Sequence, residues 1–226
     1  MNELEYSIDN INVSSVSLSI KKYLYLFIKR GFDIILSLIG IFFLIPISII
    51  IKISYILDKD YDSIFYTQDR IGKNGKTFKL YKFRSMVPNA DEVLKKMLKQ
   101  KKYRKEWKLY QKFHNDPRIT KIGKLLRKTS LDELPQLINI FVGNMSFIGP
   151  RPLVPGELDA HNGNHELYES VRPGLSSWWA VNGRSDISYE DRLELEYYYV
   201  KHQGFKMDLK CIFMTVKVVL GCKGAK

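Results

Sequence analysis

The stretch IILSLIGIFFLIPISIII, Ile34 to Ile51, decides what kind of fold this chain adopts. Eighteen residues pass without a charge, about the minimum for crossing a hydrocarbon core. The run begins too far from Met1 for a cleaved signal peptide and no A-x-A site follows it. Lys21, Lys22, Lys29 and Arg30 precede it, and Lys52 and Lys59 follow. Basic flanks stay on the cytoplasmic side, and here both flanks are basic. Pro46 lies inside the run; its ring clashes with the Phe42 carbonyl and it donates no hydrogen bond, so a kink or break is expected there. Ser48 or Ser37 would help satisfy the freed backbone groups. Two arrangements stay open on these residues alone: one proline-kinked span, or a re-entrant helix–break–helix over 21–58 that enters and leaves by one face. Asp33 sits at the entry beside Lys29 and Arg30, where a charged cluster can rest at headgroup level.

Working outward, residues 1–20 form an N-terminal arm, and 59–226 are long enough to bury a core of their own. Of the 226 residues, 45% are hydrophobic, which excludes a disordered chain. The formal net charge is +12 and the pI about 9.5, so acidic partners are favoured: nucleic acid, anionic lipid or phosphorylated substrates. Cys211 and Cys222 form no C-x-x-C pair, which fits a reducing compartment without a disulfide framework or zinc site.

After Asp58 the pattern is that of a folded α+β domain, mostly helical with one small β-hairpin. SIFYTQ, Ser63–Gln68, alternates like a strand, and RIGKNGKTFKLYKF, Arg70–Phe83, turns at Asn74-Gly75, a favoured type I′ pair. Lys79, Lys82 and Arg84 punctuate the second arm, as phosphate ligands or as a solvated face. ADEVLKKMLKQKKYRKEWKLYQKF, Ala90–Phe113, reads as one basic amphipathic helix, suited to anionic lipid or to an ordinary surface position. KIGKLLRK, from Lys121, and YEDRLELEYYYVKH, Tyr189–His202, read as helices. MDLKCIFMTVKVVL, Met207–Leu220, is amphipathic, with Leu209, Ile212, Phe213, Val216 and Val219 on a face expected to join the core. HNGNH, His161–His165, is too rich in Asn and Gly for a helical zinc pair.

Three arginines stand out. Arg151 lies between Pro150 and Pro152, and Arg172 precedes Pro173. Proline pre-sets the backbone, so each guanidinium can be aimed at low entropic cost, and Arg matches phosphate oxygens bidentately. With Arg184 in NGRSD they suit a diphosphate. SLDELPQ, Ser130–Gln136, sets Asp132 beside Glu133. It also spells a capping box, in which both acids are merely first-turn residues. Pro135 disfavours that reading, since it lies beyond the tolerant first turn and pushes Leu134 out of helix. The helix then begins near Pro135, both carboxylates sit at its N-terminus and stay ionised, and an ionised Asp there can attack phosphorus or bind a divalent cation.

YKFRSM, NDPRIT, LRKTSLDELPQLINIFVGNMSFIGPRP, VRPG and NGR together resemble the bacterial sugar transferases, the monotopic phosphoglycosyl transferases, over nearly the whole chain from Lys29 onward. The KRGFD entry and the proline-broken apolar segment match too, although the family's usual Ser-Pro is Ile45-Pro46 here. The NAD and EW elements and the closing VVLGCKGAK are similar to members that transfer hexose-1-phosphates. The resemblance implies transfer of a sugar-1-phosphate from a UDP-sugar to polyprenyl (undecaprenyl) phosphate with release of UMP, the first membrane step of capsule, exopolysaccharide or O-antigen synthesis. It implies magnesium held by Asp132 and Glu133, an aspartyl-phosphosugar on Asp132, and donor phosphates on Lys82, Arg84, Arg151, Arg172 and Arg184. It further implies a re-entrant helix broken at Pro46, a monotopic chain on the cytoplasmic face of the bacterial inner membrane with interfacial amphipathic helices on anionic lipid, no nucleic-acid partner, and room for a homodimer. Two alternatives stand beside it: a glycosyltransferase using a D-x-D metal site in DKD or DYD (Asp58–Asp62), and a non-catalytic basic membrane-binding module.

Overall fold

The computed structural model describes residues 3–110, 113–183 and 187–220. A single helix, α1 (Glu3–Leu57), opens the chain. A two-stranded antiparallel hairpin follows, β1 (Phe65–Ile71) and β2 (Thr77–Phe83), in register from Phe65↔Phe83 to Ile71↔Thr77. At its tip Asn74 and Gly75 both adopt positive φ, 58° and 71°, and the Lys76 N–H donates to the Lys73 carbonyl, the type I′ geometry expected of Asn-Gly. Next come α2 (Ala90–Leu98), α3 (Lys101–Tyr110), α4 (Lys121–Thr129), α5 (Gln136–Val142) and β3 (Ser146–Ile148). The chain continues through α6 (His165–Tyr168), β4 (Gly174–Ser176), α7 (Trp178–Asn182), α8 (Tyr189–His202) and α9 (Phe205–Leu220), with β3 and β4 paired in parallel.

Helix α1 carries the architecture. Its buried side chains Tyr25, Asp33, Ser37, Leu44, Ile51 and Tyr55 fall at helical spacing on one stripe. The folded domain follows that stripe from one end to the other. Near the start, Lys29 pairs with Asp208 of α9, and Tyr25 donates to the same carboxylate. Arg30 donates to the carbonyls of Ile140 (2.7 Å) and Phe141 (2.8 Å). Asp33 accepts from the Ser146 hydroxyl and the Phe147 N–H. In the middle a Cβ on Gly40 would stand 2.7 Å from the Leu137 Cδ1, so glycine lets that side chain of α5 pack directly against the α1 backbone. At the far end Leu44, Ile51 and Tyr55 join Ile64, Phe83 and Leu126 in a core cluster, and the Tyr55 hydroxyl donates to the Arg84 carbonyl. The opposite face exposes Phe27, Phe32, Ile35, Leu38, Phe42, Ile45, Ile49 and Ile53.

Three expectations need correction. Helix α1 runs through Pro46 without interruption, so the division into two helices is not seen. One proline removes one hydrogen bond, and the Ser48 hydroxyl, donating to the Leu44 carbonyl at 2.7 Å, helps to satisfy the adjoining turn. The 90–113 helix is two helices, parted at Lys99–Gln100. An unbroken helix would turn Tyr103 about 140° away from Leu98; the break resets the phase, so Met97 is buried and Tyr103 and Trp107 both pack on Phe113. The α9 stripe does not enter the core: Leu209, Ile212, Phe213 and Val216 are exposed, while Cys211, Met207 and Met214 face inward. Val219's side chain lies outside what is described.

Candidate functional site

The carboxylate pair is placed by the ends of two helices. The Thr120 hydroxyl caps α4 by accepting from Gly123 N–H, and α4 ends at Ser130, whose φ of 56° is left-handed. That reversal starts a 3₁₀ turn, Leu131–Glu133, and α5 follows with Pro135 at its cap. Ser130 makes no side-chain cap hydrogen bond to this turn, so the capping-box reading is not realised. Leu131 and Leu134 pack into the core clusters, leaving Asp132 and Glu133 half-buried between them. Asn139 locks α5 onto the hairpin, its side chain accepting from Tyr81 N–H (3.0 Å) and donating to the Lys79 carbonyl (2.7 Å).

Glu133 Oε1 accepts from Lys82 Nζ of β2 at 2.9 Å. Burial pushes the Asp132 carboxyl above the usual aspartate range, and adjacent Glu133 adds to this; Lys82 and Arg127 oppose it. The helix terminus therefore does not hold Asp132 at an ordinary carboxylate affinity, because desolvation outweighs it. A carboxylate kept basic by burial beside two cations is a stronger nucleophile once ionised. Arg127, fixed by donating from Nε to the Ser85 hydroxyl at 2.9 Å, is a site residue that the proline-flanked criterion missed; its position five residues before Asp132, in LRKTSLD, was the available signal.

The predicted phosphate ligands separate. Strand pairing puts Arg70, Gln68, Tyr66 and Lys82 on one face of the hairpin. Arg151 meets that face at its other end, close enough to repel Arg70. The four residues from Tyr66, opposite Lys82, to Arg70 span about 13 Å. Arg151 is rigidly carried: its N–H donates to Glu196 Oε1 (3.1 Å), its carbonyl accepts from Tyr168 (2.9 Å), and its guanidinium lies over Trp179. Arg84 has another task. It is buried over the Tyr55 ring, with Nη2 on both oxygens of Asp60 (2.8 and 2.9 Å), Nη1 on the Met86 carbonyl and Nε on that of Ser63. That network ties β2 to the end of α1, and a buried guanidinium with every nitrogen engaged has little to offer a phosphate. It also occupies Asp60, the carboxylate shared by DKD and DYD. Arg172 lies at the opposite end of α5, donating from Nε to the Gly143 carbonyl at 2.8 Å; about 10 Å of helix parts it from the carboxylates. Arg184 lies outside the described residues.

Among the described residues no group of three or more His, Cys, Asp or Glu side chains is placed to hold a metal. Asp132 and Glu133 alone suit a magnesium ion that takes its remaining oxygens from substrate phosphates and water.

The family model described as bacterial sugar transferase matches residues 24–222, and the chain belongs to that family. It is similar to the UDP-galactose-lipid carrier transferase of Erwinia amylovora, 41% identical over 95% of this chain and 45% of the relative. It is likewise similar to the undecaprenyl-phosphate galactose phosphotransferase of Salmonella typhimurium, 42% identical over 88% of this chain and 42% of the relative. The exopolysaccharide production protein ExoY of Sinorhizobium fredii is 40% identical over 87% of each chain. The chain thus spans less than half the length of the first two.

Proposed function

We propose that this chain transfers a sugar-1-phosphate from a UDP-sugar to a polyprenyl phosphate at the cytoplasmic face of a bacterial membrane, for surface polysaccharide synthesis. The observation that carries the reading is the half-buried Asp132–Glu133 pair, flanked by Lys82 and Arg127. An Asp132 oxygen attacks the sugar-bearing phosphorus. The bridging P–O bond breaks, and UMP leaves with its electron pair. An oxygen of the lipid phosphate then attacks the same phosphorus, forming the lipid diphosphate sugar and returning the Asp132 carboxylate. Lys82 and Arg127 lower the repulsion between nucleophile and diphosphate, and Arg151 takes the more distant part of the donor. Magnesium, held by Asp132, Glu133 and donor oxygens, would supply charge neutralisation. Glu133 positions Lys82.

The same reading makes α1 a monotopic helix. The folded domain touches it near both ends, through Lys29, Arg30 and Asp33 and again through Lys52, which donates to the Tyr61 and Asp62 carbonyls. A water-soluble domain cannot follow a helix through a bilayer, so both ends lie on one side, with the exposed apolar face in the lipid. The acceptor phosphate then meets Asp132 at headgroup depth. The test is intact mass of the chain after incubation with UDP-sugar and magnesium without lipid acceptor. One phosphosugar adduct on Asp132 and one UMP per chain are expected. Release of UDP instead would establish glycosyl transfer, and no adduct on turnover-competent protein would remove the covalent step.

A further inference from the structure

A second cluster of cations stands apart from the carboxylate pair. A cavity of about 430 Å³ opens between the first membrane turns of α1, β3 and the segment leading to β4, and Lys22, Lys29, Arg30, Lys73 and Arg172 stand in its lining. Two acids oppose these five cations: Asp33 in the wall, already accepting from Ser146 and Phe147, and Asp208, paired with Lys29. Arg30 and Arg172 converge on Gly143, where Arg172 Nε bonds the carbonyl and Arg30 Nη2 stands 3.2 Å from where a Cβ would be. Gly143 has φ +92°, a conformation that favours glycine. No hydrogen bond to a described residue engages the terminal nitrogens of Arg172 or the ammonium groups of Lys22 and Lys73. Gathering these charges in a partly desolvated recess costs energy unless an anion completes it.

The position of the cavity says which anion. Lys22, Tyr23 and Leu26 of its wall share helical turns with the exposed Leu24 and Phe27. Beside them Phe205 of α9 packs edge-on against Tyr25, continuing into the exposed stripe Leu209, Ile212 and Phe213. The recess is therefore basic, rimmed by an aromatic residue, and set where two apolar surfaces meet, the arrangement that reads lipid headgroups. We infer that this cavity is a second phosphate site, separate from the transfer centre, which binds the phosphate headgroup of a membrane lipid.

The inference rests on the reading of α1 as a membrane helix, and the test keeps the two apart. The full chain, delipidated in detergent, is titrated with phosphatidylglycerol, a polyprenyl monophosphate or phosphatidylcholine, and bound lipid is counted by native mass spectrometry. Wild type should retain one phosphatidylglycerol, or one polyprenyl phosphate in addition to any at the transfer centre, at concentrations that leave phosphatidylcholine unbound. Lys73→Gln with Arg172→Gln should weaken that retention about tenfold or more. Lys95→Gln with Lys96→Gln, an equal loss of charge on α2, should not. Competition between the two anionic lipids would make the acceptor a visitor to the site; retention of phosphatidylglycerol alone would make it a structural-lipid site, and either supports a lipid phosphate. Equal loss in both double variants, equal retention of phosphatidylcholine, or displacement by UDP would overturn it. A chain that stays monodisperse without detergent and leaves phosphatidylcholine bilayers would break the α1 reading instead.

Discussion

The two ends of α5 set one structural device to two uses. At the N-terminal end, where the helix dipole is positive, stand Asp132 and Glu133; at the C-terminal end, where it is negative, Arg30 and Arg172 bond the carbonyls of Ile140, Phe141 and Gly143. Each end carries the sign the dipole favours. They differ in how far their charges are spent. Arg30 and Asp33 are bonded to backbone and fasten α1 to the domain, whereas burial and neighbouring Glu133 keep the Asp132 carboxyl from settling into an ordinary aspartate. An anchor is built from satisfied charges and a reaction centre from unsatisfied ones.

Asp132→Asn keeps the shape and removes the nucleophile. Sugar-phosphate transfer should fall by about 10³-fold or more, with no adduct in the mass spectrum. Because burial raises its folded pKa, ionised Asp132 weakens the fold at neutral pH. Thermal unfolding of the variant should therefore occur at the same or a higher temperature. A lowered unfolding temperature with activity kept would return the pair to a capping role and erase the contrast. Glu133→Gln should lose less turnover, since Lys82 keeps a hydrogen-bond acceptor.

Arg151→Lys retains charge but not the fork, and should raise the barrier by about 1–3 kcal/mol, read in kcat/KM. An undiminished kcat/KM would mean that the proline-held guanidinium does not reach the donor. At the anchoring end, Arg30→Ala should leave covalent-adduct formation possible in whatever folds, yet cost about 1–3 kcal/mol of stability in chemical denaturation, from two lost charge-assisted hydrogen bonds. A variant of unchanged stability would show that α1 needs no fastening at α5.

The sequence made some of this plain and concealed the rest for definable reasons. Helix α8 (Tyr189–His202), the Asn74-Gly75 turn and the start of α5 after Pro135 were legible because turn and breaker chemistry is local. Two amphipathic segments were misread: over 90–113 the composition does not reveal the break at Lys99–Gln100, and in α9 amphipathicity tells that a helix has two faces, not which neighbour takes the apolar one. In α3 the stripe is taken up by Phe113 and by Arg118, whose guanidinium lies over Trp107. In α9 a second inward set, Met207, Cys211 and Met214, fills the core, and the more regular stripe is left outside. The distance of Arg151 and Arg172 from the carboxylates was invisible for a similar reason: both are proline-flanked, but the pairing of β3 with β4, a contact between distant segments, sets their backbones side by side, with Gly174 N–H on the Pro150 carbonyl.

The finest effect tests what makes Arg151 rigid. Glu196 is wholly buried on α8 and accepts the Arg151 N–H. Burial pushes its carboxyl up to about 7, while that N–H, Arg192 and the Ser177 hydroxyl pull the other way. An unfolded glutamate titrates near 4.3, so between about pH 4.5 and 7 the folded chain holds a proton that the unfolded chain has released. Stability from this group is full below that window and is lost as pH rises through it. Glu196→Gln keeps an acceptor for Arg151 and abolishes the titration. Its unfolding temperature should match wild type near pH 4.5, exceed it near pH 8, and lack the intervening slope. If attraction to Arg192 instead kept Glu196 ionised throughout, the glutamine variant would be the less stable protein at pH 8. The Arg151 N–H would then be held by a carboxylate paired with Arg192, and the Arg151 guanidinium would stay over Trp179, uncommitted to that pair.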